Sequence, residues 1–192
     1  MKQSLCVFCG SSPGRQPTYR TEAEKLGRLL AAAGISLVYG GGHLGLMGAV
    51  AQACLDAGGH VVGIIPRHLM HSESAYLEVS ELIVVESMHE RKKAMYERAD
   101  GFAVLPGGLG TLDETFEILT WKQIRLHNKP VLLVDLGGFW QPMLGAIQHA
   151  ITEGFTSPQT PHLYRVVDSI AAVPATLRDE LHTAQAGRSD QF

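Results

Sequence analysis

The stretch with the densest chemistry is Pro106-Gly107-Gly108-Leu109-Gly110-Thr111-Leu112-Asp113-Glu114. The apolar run from Gly101 to Leu105 before it reads as a buried parallel strand, and Thr111 to Leu126 reads as a helix. A strand, a glycine turn and a helix start make an anion pocket: glycines let the backbone approach a phosphate, and the unpaired N–H groups of the first helical turn point at it. Thr111 can cap the helix or donate its hydroxyl to the same anion. Glu114 then falls in the first turn, where the positive helix end favours an ionised carboxylate. An anion seat beside a fixed negative charge suits a phosphorylated sugar that develops positive charge as it reacts. The plainer reading is tight strand–helix packing with Glu114 as a helix-start acid. No Lys precedes Thr111, so the stretch is not a Walker A loop.

Other candidates surround this motif. Gly40-Gly41-Gly42-His43-Leu44-Gly45 fits the dinucleotide-binding glycine spacing, but that fingerprint also needs an acid about 20 residues on to hold the ribose. The first acid that far on is Glu73, in an irregular loop, so Gly40, Gly41 and Gly42 read as backbone contacting a nucleotide or as a purely structural turn. Arg91 and Lys92 open a helix after a strand. They are a solvated basic patch or a clamp for a phosphate or purine edge, a task for which the planar guanidinium is suited. Cys6 and Cys9 have a redox or metal spacing, but along a strand three residues apart means opposite faces, so core packing is the better reading. The nine His residues show no pair with zinc-ligand spacing on one element; His43 and His89 fall on the expected ligand edge, but no metal is expected.

The motif Pro106 to Glu114 strongly resembles the signature of the Lonely Guy (LOG) family, the cytokinin-activating phosphoribohydrolases often mislabelled lysine decarboxylases. Met88-His89-Glu90-Arg91-Lys92 upstream and Phe116 to Gln123 downstream extend the resemblance, which covers Leu5 to Asp168. It implies hydrolysis of the N-glycosidic bond of a cytokinin (N6-modified adenosine) riboside 5′-monophosphate, or of AMP, to free base and ribose 5-phosphate. It implies Arg91 and Glu114 as the catalytic pair, with Lys92 beside the substrate and Glu73 in a loop that reaches the nucleotide. Gly107, Gly108, Gly110 and Thr111 would cradle the 5′-phosphate through backbone donors, with Leu109, Ser11, Gly41, Gly42 and Met88 also in contact with the substrate. Thr120 is placed near the ligand by the resemblance alone, because helical spacing stacks Glu117 and Ile118 more directly on Glu114. Homodimers, with some hexamers, are also implied; Trp121 and Ile124 could serve such an interface or the core. No cofactor is expected, since a pyridoxal-dependent decarboxylase needs a Schiff-base Lys for which no local signature exists. The alternative is a carrier that binds a nucleotide or molybdenum cofactor without catalysis.

The elements that must position these residues alternate. Strands are expected at Ser4–Cys9, Ile35–Tyr39, His60–Ile65, Leu82–Val85, Gly101–Leu105, Pro130–Val134 and Tyr164–Val167, separated by helices of ten or more residues. Arg67 to Glu78 lacks periodicity and reads as a mobile loop or short helix. This alternation predicts a Rossmann-like three-layer α/β/α fold with a mostly parallel sheet of about seven strands. Ligands in such folds bind beyond the carboxyl ends of the strands, where the loops at Gly10–Gly14, Gly40–Gly45, Glu86–Lys92 and Pro106–Thr111 converge. Leu44, Leu46, Met88 and Met95 could line a prenyl pocket.

Length and composition agree. The 192 residues, 45% apolar and 18% charged, fit one domain over 1–183 with a flexible tail over 184–192. A net charge of −3 without a Lys/Arg stripe gives no basis for nucleic-acid binding. Three cysteines in apolar surroundings point to the cytoplasm, and no apolar run reaches the roughly 18 residues of a membrane span.

Overall fold

The computed structural model describes residues 3–189, with side chains through residue 184. Seven strands, β1 (Ser4–Phe8), β2 (Ser36–Tyr39), β3 (Val61–Pro66), β4 (Glu81–Val85), β5 (Gly101–Val104), β6 (Val131–Val134) and β7 (Arg165–Val167), form one sheet in the order β4-β3-β2-β1-β5-β6-β7. All six pairings are parallel. The central strands are continuous apolar runs because helices cover both faces. Helices α1 (Pro17–Ala32), α2 (Gly45–Asp56) and α6 (Val173–Ser189) pack on one face. Helices α3 (Met88–Arg98), α4 (Leu109–Gln123) and α5 (Gln141–Thr152) pack on the other. Cys6 belongs to the second core and Cys9 to the first, as strand alternation requires.

From β1 the chain steps outward through β2, β3 and β4, then returns to place β5 on the other side of β1. Connections leaving β1 and β5 therefore diverge to opposite faces, and a crevice opens beyond their carboxyl ends. Both glycine loops that follow these strands end there.

Three local expectations change. Helix α4 starts at Leu109, with Gly108 as its N-cap, so Thr111 is not the cap and Glu114 lies in the second turn. Glycine serves well enough at an N-cap, and Gly110 costs little where the N–H groups are unpaired anyway. The same helix ends at Gln123, short of Leu126: Arg125 takes φ 63°, and Leu126 N–H bonds the Trp121 carbonyl at 2.9 Å. This is a Schellman-type end with Arg in the place usually held by Gly, so no glycine marks the stop. Helix α6 continues to Ser189 through a stretch containing Ala184 and Ala186, beyond the boundary expected for a tail; residues 190–192 lie outside the described residues.

Residues 67–78 are tied down. A 3-10 turn over Arg67–Leu69 leads to Ala75, which makes an antiparallel bridge with Gly42. His43 N–H bonds the Ser74 carbonyl at 2.9 Å, Tyr76 N–H bonds the Gly41 carbonyl at 2.9 Å, and the Tyr76 hydroxyl bonds Gln52. Ser74 turns the chain at φ 48°, next to Glu73.

Candidate active site

Helix α3 begins cleanly. Ser87 caps it by accepting from Glu90 N–H at 3.1 Å, and the Glu90 carboxylate reaches back to Glu86 N–H at 2.9 Å. This start sends Arg91 inward, where only 4% of it stays exposed. Its Nε–H donates to the Ile64 carbonyl at 3.2 Å; its Nη2 donates to the Gly40 carbonyl at 2.7 Å and pairs with Glu73 at 3.3 Å. Among the described residues the remaining nitrogen, Nη1, meets only the soft sulfur of Met88 at 3.9 Å, so its two N–H groups have no strong acceptor there. A buried cation is thus anchored on one edge and open on the other.

The guanidinium needs the glycine below it. A Cβ on Gly40 would lie 2.1 Å from Arg91 Nη2. Gly41 and Gly42 do a different job. Gly41, at φ 75°, lies against the backbone of Ile64, and a Cβ on Gly42 would meet Met47 at 2.8 Å and the Glu73 carbonyl at 3.1 Å. Neither lines the cleft; both let the 67–78 segment close over β2 and β3.

The phosphate-cradle candidates come from α4. Leu112 N–H is the first amide of this helix start to be paired, with the Gly108 carbonyl at 3.0 Å. Those of Leu109, Gly110 and Thr111 make no backbone hydrogen bond among the described residues. Thr111 is buried, and its side chain packs so closely on Gly107 that a Cβ there would lie 2.1 Å from its hydroxyl oxygen. Its carbonyl is taken by the Thr115 hydroxyl at 2.6 Å.

Glu114 faces the same space, half-buried, with no hydrogen bond to its carboxylate among the described residues. Burial pushes its carboxyl up to about 7; Arg91 works against this, while Glu73 and Asp113 add to it. The helix end was expected to favour the ionised form. Desolvation wins, because one turn into α4 the terminal dipole has largely faded.

These groups converge on a cleft of ≈ 220 Å³. Among the residues expected from the sequence, Ser11, Glu73, Met88, Arg91, Gly108, Leu109, Gly110, Thr111 and Glu114 line it, as does Met95. Gly107 lines a neighbouring cavity of ≈ 210 Å³, shared with Leu46, Tyr19 and Phe139. Lys92 is turned aside between Asp113 and Glu117, at 3.2 and 3.0 Å. Thr120 is exposed on α4 and does not line the cleft. Leu44 is exposed, and His43 packs against Tyr76 with ring centres 4.3 Å apart. Sequence reasoning missed Cys9, Met47 and Leu69 as lining. Cys9 and Met47 read as core residues, and Leu69 sits in the stretch without periodicity. Among the described residues no cluster of three His, Cys, Asp or Glu could hold a metal ion, and no helix is long and apolar enough to cross a membrane.

A doubly wound parallel sheet whose switch point brings the start of α4, a buried arginine and a half-buried carboxylate to one cleft defines a protein of the Rossmann-like class. The family model described as "Possible lysine decarboxylase" matches residues 47–177. A cytokinin riboside 5′-monophosphate phosphoribohydrolase of Rhodococcoides fascians is 45% identical over 92% of this chain and 89% of its own. One from Arabidopsis thaliana is 43% identical over 91% and 82%. The chain belongs to this family, the LOG family. Among solved structures, the molybdenum cofactor carrier protein of Chlamydomonas reinhardtii aligns with a TM-score of 0.72 over 95% of this chain and 99% of its own. At 22% identity it shares the fold.

Proposed function

We propose that this protein hydrolyses the N-glycosidic bond of cytokinin riboside 5′-monophosphates, and of AMP, releasing the free base and ribose 5-phosphate. The observation that carries this is the presence of Arg91 and Glu114 in the lining of one cleft, beside three α4 amides that make no backbone hydrogen bond among the described residues. The amides of Leu109, Gly110 and Thr111 receive the 5′-phosphate, whose charge the helix start favours. As the bond from C1′ to the base lengthens, the ribose gains oxocarbenium character. The ionised Glu114 stabilises that charge and orients the attacking water, whose hydroxyl goes to C1′ while its proton ends on the departing base. Arg91 offers its two free Nη1–H donors to the substrate and assists departure of the base. Glu73 holds the guanidinium in place through their 3.3 Å pair. A carrier needs the anion seat but no acid facing the ribose, so Glu114 favours the enzyme.

The chain acts as a homodimer in this reading. Leu109, Phe116 and Ile124, 86%, 43% and 60% exposed, leave apolar surface along one side of α4. Light scattering on the wild type and on Phe116→Glu/Ile124→Glu checks this, with a monomeric wild type as the contrary result. The compartment we assign is the cytoplasm, on the buried thiols of Cys6 and Cys9.

The chemistry is tested by incubating purified protein with AMP and with isopentenyladenosine monophosphate, and separating the products. Free base and ribose 5-phosphate are expected. Intact nucleotide after long incubation with stoichiometric protein, with binding still measurable, refutes the enzyme in favour of a carrier.

A further inference from the structure

The geometry points to Lys92 as a positioning residue of the proposed reaction: its ammonium staples α3 to α4 and thereby sets Arg91 against Glu114, in place of contacting the nucleotide. The inference rests on the phosphoribohydrolase reading. Only 12% of the Lys92 side chain is exposed, and its Nζ lies 3.2 Å from Asp113 and 3.0 Å from Glu117. Asp113 and Glu117 stand one turn apart on α4 and so turn the same side toward α3. Among the described residues no other hydrogen bond or ion pair joins these two helices. One turn further along each, Tyr96 and Trp121 make an edge-to-face contact with ring centres 5.3 Å apart. Of these two contacts between the helices, the polar one lies at the site end.

The charge balance supports the same assignment. One ammonium between two carboxylates leaves the cluster with a net negative charge, a poor receptor for a phosphate dianion. Two of the three ammonium donors are already used, and Lys92 is absent from the cleft lining. The staple residues are the chain neighbours of the reacting groups: Arg91 precedes Lys92, and Glu114 follows Asp113. A slip of α4 along α3 therefore changes the Arg91–Glu114 geometry directly, while the α4 amides still hold the phosphate. Alignment matters most in the transition state, so its loss reads in kcat and not in KM.

The test compares wild type, Lys92→Met, Lys92→Glu and the swap Lys92→Glu/Glu117→Lys with both nucleotides as substrates. The swap keeps one ammonium between two carboxylates. For Lys92→Met a fall in kcat of about 10- to 100-fold with KM changed by less than about threefold is expected, from misalignment on the order of an ångström. Lys92→Glu is expected to be worse, and the swap to recover most of the loss. AMP binding by calorimetry is measured separately in Glu114→Gln and Glu114→Gln/Lys92→Met, and equal affinities are expected. A swap as impaired as Lys92→Glu, or clearly weaker binding in the double variant, overturns the staple and makes Lys92 a substrate contact. If Lys92→Glu does not fold, Lys92→Met and the binding pair decide alone. Wild-type turnover in the same experiment checks the underlying reading: intact nucleotides there refute the phosphoribohydrolase and the staple's role together, whereas a failed swap beside an active wild type refutes only the staple.

Discussion

Replacing Glu114 with Gln should make the protein more stable and less active at once. The ordinary carboxylate value is 4.5, and burial raises Glu114 to about 7 in the fold. At about 1.4 kcal/mol for each tenfold in the proton equilibrium, the ionised side chain is about 3 kcal/mol less favourable folded than unfolded. Because the folded value is the higher one, the native state binds more protons between pH 4.5 and 7, and stability falls as pH rises through that window. Gln removes the penalty without changing the shape. At pH 8 the variant should gain about 3 kcal/mol, which for a chain of this size is about 6–12 °C in Tm. At pH 5 the gain should shrink below about 1 kcal/mol. Denaturant and thermal melts of both proteins at the two pH values measure this. In the same preparations, kcat should drop at least 100-fold, on the order of what losing one electrostatic stabiliser costs. The wild-type kcat/KM should climb with pH through about 7, since the carboxylate form is the competent one; this lies above the second phosphate ionisation near 6. A variant equally stable at pH 8 would show that Glu114 is not strained by burial. Near-normal turnover would remove it from the chemistry.

Arg91→Lys should lose most activity although charge is kept, because a lysine cannot serve the Ile64 and Gly40 carbonyls and Glu73 while leaving two donors free; kcat should fall about 100-fold or more, read in the same product assay. Gly40→Ala, whose Cβ would lie 2.1 Å from Arg91 Nη2, should displace the guanidinium and cut kcat by a similar order, with circular dichroism showing the fold retained. Gly107→Ala drives a methyl to 2.1 Å from the Thr111 hydroxyl, so it should raise KM for the 5′-monophosphate more than it lowers kcat. Cys6 and Cys9 should resist a thiol reagent until the protein unfolds, since both are buried and burial pushes their thiols well up; rapid labelling of native protein would contradict this.

Much of the architecture is legible in the chain because apolar runs of four to six residues alternate with amphipathic helical stretches, and the strand and helix positions agree to within a residue or two. The exceptions are the far end of α6, which runs on to Ser189, and both ends of α4. The first turn of α4 was hidden by Gly108 and Gly110, and its last by Arg125 in a conformation that ordinarily announces itself with glycine. The 67–78 segment carries no periodicity. What orders it is backbone pairing to Gly41, Gly42 and His43, distant in sequence and invisible to local patterns.

Residue types and local spacing determined the list of candidate groups: a glycine-rich helix start at Gly107–Thr111, a carboxylate at Glu114, a guanidinium at Arg91. They also determined the sheet that brings such loops to one edge. Tertiary structure decided how those groups behave. Arg91 is a half-satisfied buried cation because β2 and β3 supply the Gly40 and Ile64 carbonyls. Glu114 is pushed toward neutrality because its surroundings exclude water more strongly than the helix end attracts charge. Lys92 is turned from the cleft because α4 sets two carboxylates in front of it. Each outcome depends on desolvation and on partners dozens of residues away, and these exist only once the sheet has closed.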